Sequence, residues 1–397
     1  MALHQEIKVL IKLKNQFDKK CKVLREKLPF DCIFFCILHA LNQSCTSSTL
    51  LIWQRTICEK ICNPDVNIYC RTGSKSHIMI RRTLLTLCAC LVTIGTFAQK
   101  HSELQDTTIN NQPYVILNNG LAMPRFGIGT FNVPGDSIMA DAICFALKNG
   151  YRHIDTAHAY GIERGVGKGI KESGVPREDI WITSKVWPTE YGVGKTLEGI
   201  DKMLDRLGVD YIDLLYVHQP VGDWRGAWRD MEKAVESGKV RSLGISNFDA
   251  ADTLFTAVNE WARIKPVALQ IELHPYAQRE KWQEKAAEKD IQVECWFPLG
   301  GAMSNGALFR DPVLMSIAEA HGKTPAQVIL RWHIQKGFSV IPGATDHDYI
   351  SENINIFDFE LTPEEMEQIH ELNKEKRFFN MSLEDKQRIL TRAELPD

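Results

Sequence analysis

Short apolar runs alternate with longer, helix-like stretches through most of the chain. The apolar runs are continuously hydrophobic, as expected for strands that are covered on both faces. Stretches of helical periodicity lie between them, for example 194–207, 224–237 and 325–336. Because eight parallel strands that alternate with helices close into a cylinder, the pattern predicts an α/β fold of the (β/α)8 TIM barrel type. The strand-like runs occupy residues 126–129, 152–155, 180–185, 212–218, 240–246, 268–271, 291–296 and 339–342.

Local signals on either side of the barrel extend this prediction. Apolar runs flank Asn119-Gly120, which predicts an N-terminal β-hairpin that closes the barrel floor. Thr362 followed by Pro363 predicts the N-cap and first turn of a late helix. The glycine-rich segments 165–169 and 192–196 lack the spacing of nucleotide-binding loops, and we expect both to belong to helices.

The chain before the barrel has a different character. Residues 79–98 combine a basic start, an apolar stretch and small residues before Gln99, the pattern of a secretory signal. The 78 residues before it are predicted to be an over-extended gene start, and a genuine disordered or membrane-associated head is the alternative. Residues 99–112 are predicted to be a linker, and residues 113–397 the barrel. The signal-like segment indicates a periplasmic or exported protein, and without it the protein would be cytoplasmic.

Charge and cysteine content narrow the function classes. A net charge of +6 on residues 1–78 and a total of −3 leave −9 for the rest of the chain. Such an acidic body argues against a nucleic-acid partner. Only Cys144 and Cys295 lie in the barrel region, too few for a disulfide framework, and no metal-ligand spacing accompanies them. We therefore expect no metal site.

Four polar residues follow apolar runs where a buried strand would reach the surface: Asp155, Tyr160, Lys185 and His218. A parallel barrel opens its active site at these strand ends, so the four are predicted to meet there. The Tyr160 hydroxyl could donate a proton to a carbonyl oxygen, and the Lys185 ammonium would lower the tyrosine pKa from about 10. Asp155 would hold Lys185, and His218 would orient the carbonyl through a hydrogen bond.

From about residue 113 to about residue 382 the chain resembles the aldo-keto reductase family. The resemblance implies a bacterial-type (β/α)8 barrel with short loops that reduces aldehydes or ketones to alcohols with a nicotinamide cofactor. It also implies the tetrad roles described above, with Tyr160 as the proton donor. The matching motifs occur in the family order and are Leu117–Thr130, Gly150–Gly167, Thr183–Trp187, Val217–Pro220, Gly244–Phe248 and Leu269-Gln270.

The resemblance also implies which side chains bind the cofactor and the substrate. The nicotinamide carboxamide would be held by Ser246, Asn247 and Gln270, whose amide and hydroxyl groups can bond it. Trp296 stands where the family usually has a tyrosine stacked on the nicotinamide. The implied cofactor contacts are Thr130, Asp155, Ser246, Asn247, Gln270, Trp296, Leu299, Glu352 and Asn353. The implied substrate pocket is formed by Phe131, Trp187, His218 and Gln219.

Two departures from the family pattern bear on cofactor and substrate. Gly343 and Tyr349 replace the lysine and arginine that usually bind the 2′-phosphate. NADP(H) is therefore expected, with NAD(H) or dual use left open, because arginine–phosphate pairing is a strong contact. Gln219 replaces a tryptophan that often follows the histidine, which makes the pocket wall polar. The short connection from His218 to Trp224 predicts a pocket open to a broad range of small aldehydes and ketones.

Two other classes of function remain as alternatives. Some barrels of this family are non-catalytic or regulatory NAD(P)H-binding subunits, and the complete tetrad argues against that class. A metal-dependent hydrolase would need further His or Asp/Glu ligands at the strand ends, which the sequence does not offer. We expect a monomer whose partner is a small carbonyl substrate, without a stable membrane span in the mature chain.

Overall fold

The computed structural model describes residues 106–109 and 112–396. The predictions for residues 1–78 and for the signal-like segment 79–98 lie outside these residues. Among the helices of the described part, none is long and apolar enough to cross a bilayer.

The described chain begins with a small antiparallel sheet made of β1 (Asp106–Ile109), β2 (Gln112–Ile116) and β3 (Ala122–Pro124). The Asn119-Gly120 turn joins β2 to β3, as the sequence predicts. Gly120 has φ 85°, a left-handed conformation that a glycine adopts without a Cβ penalty.

The hairpin closes the floor of the barrel, as predicted. Val115, Leu117 and Met123 are fully buried and pack against Trp181 and Leu214, which lie at the N-terminal ends of barrel strands. The face of the hairpin that lies against the barrel is therefore apolar. The burial of these side chains stabilises the barrel floor.

Strand β1 corrects the prediction of a linker over residues 99–112. Thr107 and Thr108 pair with Tyr114 and Pro113 of β2 in an antiparallel register. Backbone hydrogen bonds hold this strand, and they do not require apolar side chains. The polar composition of the segment therefore suggested a linker where a strand forms.

Eight parallel strands form the barrel in the part of the chain that the structure describes, and they are hydrogen-bonded in sequence order. Parallel bridges from Phe126 to Val340 and from Gly129 to Gly343 join the last strand to the first and close the sheet. Each predicted apolar run overlaps one strand, which confirms the barrel. The strands are β4 (Ile128–Gly129), β5 (His153–Asp155), β6 (Trp181–Val186), β7 (Leu214–Val217), β8 (Leu243–Ser246), β9 (Ala268–Glu272), β10 (Gln292–Trp296) and β11 (Ser339–Val340).

Helices alternate with the strands and pack on the outside of the barrel, except for the last helix. The predicted helical stretches correspond to α3, α4 and α8 within one residue at each end. The helices are α1 (Asp136–Lys148), α2 (Glu163–Ser173), α3 (Lys195–Leu207), α4 (Trp224–Glu236), α5 (Asp252–Trp261), α6 (Glu280–Ala287), α7 (Pro312–His321), α8 (Pro325–Gln335), α9 (His347–Ile354), α10 (Pro363–His370) and α11 (Leu383–Leu390).

Two helix predictions are confirmed in detail. The Thr362 side chain accepts a hydrogen bond from the Glu365 backbone N–H and caps α10. The glycine-rich segment of α2 packs closely on its neighbours, and a Cβ on Gly167 would stand 2.2 Å from the Leu207 carbonyl oxygen of α3. Glycine at that position allows two helix backbones to approach, which is a packing role rather than a nucleotide-binding one.

Residues 374–396, here called the C-terminal segment, cross the open face of the barrel. The backbone N–H groups of Lys374 and Lys376 donate to the Tyr276 carbonyl at 3.1 and 2.9 Å. Helix α11 lies in the middle of the segment. At the far end, His158 Nε2 lies 3.0 Å from the Pro396 carbonyl oxygen. The segment therefore runs from the loop after β9 to the turn after β5.

Candidate active site

The structure brings the four predicted tetrad residues together at the C-terminal ends of neighbouring strands. Asp155 is the last residue of β5, Lys185 lies near the end of β6, and His218 follows β7 directly. Tyr160 ends a short 3₁₀ turn that follows β5. Backbone pairing between adjacent parallel strands fixes three of these positions, because β5, β6 and β7 are neighbours in the sheet.

Lys185 is held by three acceptors in the barrel interior. Its ammonium donates to Asp155 Oδ1 at 2.5 Å, to the Thr156 carbonyl at 3.1 Å and to Tyr160 Oη at 3.1 Å. Burial lowers the pKa of Lys185, but the Asp155 carboxylate and the Tyr160 oxygen outweigh it and raise the pKa above the usual value. The lysine therefore stays cationic, and the Tyr160 oxygen accepts its bond and keeps its own proton for another partner.

Lys185 acts on the pKa of Tyr160 in the direction that the sequence predicts, but burial outweighs it. Burial raises the pKa of Tyr160 above its usual value of 10.0, the Lys185 ammonium lowers it, and the Asp155 carboxylate raises it again. The net shift is upward, because burial is the largest contribution and, together with the nearby carboxylates, it outweighs the Lys185 ammonium. The residue is thus a neutral phenol at neutral pH, which is the form that can donate a proton.

Asp155 belongs to a buried polar network inside the barrel. Burial raises the pKa of Asp155, and the Lys185 ammonium opposes that shift. Its Oδ2 atom accepts a hydrogen bond from Gln270 Nε2 at 2.7 Å. The same amide donates to Glu294 Oε2 at 2.6 Å, and the Tyr216 hydroxyl donates to that oxygen at 3.0 Å. The network fixes the carboxylate that holds the lysine.

Glu294 was missed at the level of sequence. It lies in β10, is fully buried, and burial raises the pKa of its carboxyl group. The available signal was a carboxylate inside the apolar run 291–296, because a buried charge in a strand requires a partner.

The residues predicted to hold the carboxamide lie side by side at the ends of β8 and β9. Gln270 uses both amide hydrogens within the barrel, and its Oε1 accepts from Ser246 Oγ at 3.3 Å. Asn247 Nδ2 donates to the His218 carbonyl and to Ser246 Oγ, each at 3.1 Å. Asn247 Oδ1 has no hydrogen-bond partner among residues 106–109 and 112–396. Asn247 therefore offers a free acceptor, while Gln270 serves mainly to position Asp155.

His218 is a neutral imidazole that faces the site. Burial and the nearby Lys185 and Lys386 ammonium groups lower the pKa of His218 well below 6.5. Its Nδ1 atom is enclosed without a hydrogen-bond partner in the described structure, so Nε2 is the nitrogen available to a ligand. Its ring meets those of Tyr160 and Trp187 edge-on at 5.8 and 4.8 Å.

The predicted substrate-pocket residues surround the Tyr160 and His218 rings. Phe131 is 51% exposed, and its ring stands edge-on to Tyr160 at 5.1 Å. Gln219 is fixed through its backbone, because its N–H donates to Tyr191 Oη at 3.0 Å and its carbonyl accepts from the same hydroxyl at 3.1 Å. Its Oε1 atom is buried and has no partner within the described chain. The wall is polar at this point, as the sequence predicts.

The remaining predicted cofactor contacts are spread along the rim. Thr130 is fully buried, and its hydroxyl donates to the Asp155 carbonyl at 3.0 Å. Trp296 ends β10, and Leu299 lies in the loop after it. The Trp296 indole N–H is buried without a partner among the described residues. Asn353 is buried on α9, and Glu352 on the same helix accepts from Thr324 Oγ1 at 2.7 Å.

The groups at the ring end fit a nicotinamide. The aromatic side chain of Trp296, the free amide oxygen of Asn247 and the available proton of Tyr160 are gathered there.

The segment expected to bind the 2′-phosphate departs from the family pattern. Residues 343–349 contain neither lysine nor arginine. Asp346 caps α9 with its own side chain, and Tyr349 is 63% exposed. A metal ion finds no cluster of three or more His, Cys, Asp or Glu ligands within the described chain.

The C-terminal segment changes the predicted open pocket. The Gln387 side chain accepts a hydrogen bond from Gly222 N at 3.0 Å, so α11 lies on the short loop after His218. The Phe379 ring contacts Phe297 at 4.5 Å and Trp296 at 5.2 Å. The expected open rim is thus wrong on this side. The cover is hard to predict from the sequence, because the segment is mostly polar and its apolar residues are few and scattered.

Comparisons with known proteins agree with this fold. Residues 125–374 match the aldo/keto reductase family. The 9,11-endoperoxide prostaglandin H2 reductase of Trypanosoma cruzi is 43% identical over 268 residues, which are 67% of this chain and 94% of that protein. The glyoxal reductase of Bacillus subtilis is 44% identical over 264 residues, covering 66% of this chain and 94% of that protein.

Solved structures give the same result. A Bombyx mori aldo-keto reductase in complex with NADP has a TM-score of 0.64 and 34% identity, and the match covers 68% of this chain and 95% of that one. An aldo/keto reductase from Brucella melitensis has a TM-score of 0.62 and 41% identity, with 66% of this chain and 99% of that chain covered.

A (β/α)8 barrel with an Asp–Tyr–Lys group at its strand ends beside a neutral histidine defines a carbonyl-reducing oxidoreductase of the barrel type. The matched region includes every barrel strand and all four tetrad residues. The chain belongs to the aldo/keto reductase family. It is an NADP(H)-dependent enzyme that reduces aldehydes and ketones to alcohols.

Proposed function

We propose that Tyr160 is the proton donor in this reduction and that Lys185, Asp155 and His218 prepare it. The observation that carries the proposal is the hydrogen bond from Lys185 Nζ to Tyr160 Oη at 3.1 Å, with Asp155 behind the lysine at 2.5 Å. The bond leaves the phenol proton free and points the oxygen lone pair at a cation. When the phenol gives up its proton, the charge that develops on its oxygen is stabilised by this ammonium.

His218 positions the carbonyl oxygen in this proposal. Its neutral ring can donate from Nε2, because a lowered pKa keeps the second nitrogen free of a proton at neutral pH. A carbonyl oxygen bonded by His218 and facing Tyr160 would receive the proton from Tyr160, and a nicotinamide held beside it would supply the hydride to the carbon. Asn247 and Trp296 would hold the amide and the ring face of that cofactor, and Phe131 and Trp187 would exclude water from it.

Cofactor preference is the finer part of the proposal. The family uses NADP(H), yet Gly343 and Tyr349 offer no cation to the 2′-phosphate, and Asp346 and Asp348 add negative charge to the same segment. The 2′-phosphate of NADP(H) would therefore bind to this segment little more strongly than the 2′-hydroxyl of NAD(H). We therefore propose that the enzyme discriminates weakly between the two cofactors and also uses NAD(H).

The central experiment replaces the phenol hydroxyl and separates chemistry from binding. In the full chain, Tyr160→Phe should lower kcat for aldehyde reduction by about 10²- to 10⁴-fold, the usual contribution of a general acid. The dissociation constant of NADPH should stay unchanged, as measured by quenching of tryptophan fluorescence. Tyr211→Phe removes a hydroxyl at the opposite end of the barrel and serves as the matched control.

Two results would contradict the proposal. A Tyr160→Phe enzyme that keeps its rate would show that another group donates the proton. A wild-type chain that binds NADPH tightly but turns over none of a panel of aldehydes with either cofactor would instead indicate the non-catalytic, regulatory barrel.

A further inference from the structure

Helix α11 lies at the active-site rim with an inverted distribution of side chains. Lys386 is its buried side chain, 8% exposed, whereas Leu383 and Ile389 point outward and are exposed. A helix on a protein surface normally turns apolar side chains inward and lysines outward. Burying an ammonium group costs free energy unless a partner compensates for it, so this arrangement requires a partner.

Lys386 has no such partner in the part of the chain that the structure describes, where its side chain makes no hydrogen bond and no ion pair. Its ammonium is not fully enclosed and still touches accessible space. Burial lowers the pKa of Lys386 from its usual value, the Asp249 carboxylate raises it, the Arg377 guanidinium lowers it, and the Glu272 carboxylate raises it. The positive charge is therefore held at the rim in an unsatisfied state.

The nearest carboxylates are already paired with other cations. Asp249 Oδ2 binds the Arg279 guanidinium and lies 3.6 Å from Arg377. Arg377 also donates to Glu272 Oε2 at 2.9 Å. Glu375 Oε2 lies 4.0 Å from Arg279, so three carboxylates face two guanidinium groups. None of the three forms a hydrogen bond or an ion pair with Lys386 in the described structure.

The lysine is close to the substrate end of the site. Its neighbour Gln387 accepts from Gly222 N at 3.0 Å, and Gly222 lies four residues after His218. The Lys386 charge also contributes to the lowered pKa of His218, which agrees with this placement. Gln219, whose Oε1 is buried without a partner in the described structure, lies in the same wall.

We propose that Lys386 binds an anionic group on the substrate, so that the enzyme prefers aldehydes or ketones that carry a carboxylate. The inference rests on the proposed function, because it places the reacting carbonyl at His218 and the anion at Lys386. A bound carboxylate supplies the missing counterion in a poorly solvated site, where charge-assisted hydrogen bonds are strong. A neutral substrate of the same shape leaves the ammonium unpaired.

The test compares two aldehydes of nearly equal shape and different charge. The full-length enzyme is assayed with 4-carboxybenzaldehyde and 4-formylbenzamide, with NADPH and with NADH. We expect kcat/KM to favour the acid by about ten- to a hundred-fold, the scale of a hydrogen bond to a charged group. Lys386→Met should remove that preference by lowering kcat/KM for the acid alone. Lys386→Arg should keep part of it.

Controls distinguish substrate recognition from other roles of the lysine. Lys376→Met, at an exposed position of the same segment, should behave as the wild type. Lys386→Met should melt at the wild-type temperature or higher, because a buried charge is removed. An equal loss for acid and amide, or an unchanged acid preference in Lys386→Met, overturns the proposal. Weaker NADPH binding with an unchanged preference would assign the lysine to a cofactor phosphate and would also overturn it.

A binding experiment keeps this test independent of turnover. Benzoate and benzamide are titrated into the complex with NADP⁺, followed by tryptophan fluorescence, since Trp187 lies beside His218. Tighter binding of benzoate in the wild type that disappears in Lys386→Met supports the proposal, and equal binding of both ligands overturns it. Failure of all aldehydes to react would refute the proposed function without affecting this measurement.

Discussion

At the scale of single residues, the site holds two groups whose pKa values are shifted in opposite directions. Burial raises the pKa of Tyr160 above 10.0, and burial with two nearby ammonium groups lowers the pKa of His218 well below 6.5. Both side chains therefore remain neutral over the same wide range of pH. Opposite pKa shifts of this kind distinguish the group that donates the proton from the group that only forms a hydrogen bond.

The pH dependence of reduction follows from these two shifts. Between pH 6.5 and pH 10.0 neither group changes its charge, so kcat/KM with a neutral aldehyde should be level over that range. Above it the rate should fall as the phenol loses its proton. Initial rates across the range check the expectation. An alkaline limb centred well below 10.0 would show that Lys185 outweighs burial, as the sequence suggested.

Cofactor choice is also decided at one or two residues. Tyr349→Arg restores a guanidinium at an exposed position on the first turn of α9. We expect kcat/KM with NADPH to rise about tenfold or more, because a charge-assisted bond to the 2′-phosphate is gained. The value with NADH should not change, and Tyr349→Phe is the neutral control. Equal gains with both cofactors would mean that the 2′-phosphate does not reach this residue.

At the scale of elements, the barrel was predictable because each strand has its own apolar signal. The eight runs and the Asn119-Gly120 hairpin are local features, and the structure confirms them. Strand β1 and the cover formed by α11 were not predictable, because backbone pairing and the docking of a polar segment leave little trace in the sequence. The hydrogen bonds of Gln270 were not predictable either, because its partners are distant in the sequence.

Close packing of α2 gives a prediction at this scale. A Cβ at Gly167 would stand 2.2 Å from the Leu207 carbonyl oxygen, so Gly167→Ala must push α2 and α3 apart. We expect a loss of about 1–3 kcal/mol in the free energy of unfolding, the range for overpacked sites, although alanine is the better helix former. Urea denaturation measures it. Lys171→Ala, exposed on the same helix, is the control and should not destabilise the protein.

If Gly167→Ala were as stable as the wild type, the two helices would have to move apart without cost. The close approach of α2 and α3 would then be incidental to the barrel. A loss of reductase activity with unchanged stability would instead suggest that this glycine contributes to the site.

At the scale of the whole molecule, the barrel depends on buried histidines that must stay neutral. His153 lies inside the barrel and His333 on α8, and burial lowers the pKa of each to about 4. An unfolded chain binds protons at these groups below pH 6.5, whereas the folded protein does not bind them until about pH 4. Their contribution to stability is present above pH 6.5 and is lost as the pH falls toward 4.

Acid denaturation tests this linkage. The free energy of unfolding should fall by about 1.4 kcal/mol per pH unit for each such histidine between these limits. His153→Gln removes one titrating group and should make the fall less steep, whatever its effect on stability at neutral pH. Urea titrations at a series of pH values provide the slopes. Equal slopes for both proteins would mean that His153 is protonated in the folded state.

The placement of α11 has a consequence for how such an enzyme can change. Asp155, Lys185 and His218 are fixed by three adjacent strands of a closed sheet, whereas Lys386 and Phe379 come from one continuous stretch at the end of the chain. The last two dozen residues can therefore be replaced, by natural mutation or by grafting from a relative, without altering the strands that hold these three side chains. Natural variation and laboratory engineering would both find new substrates there first.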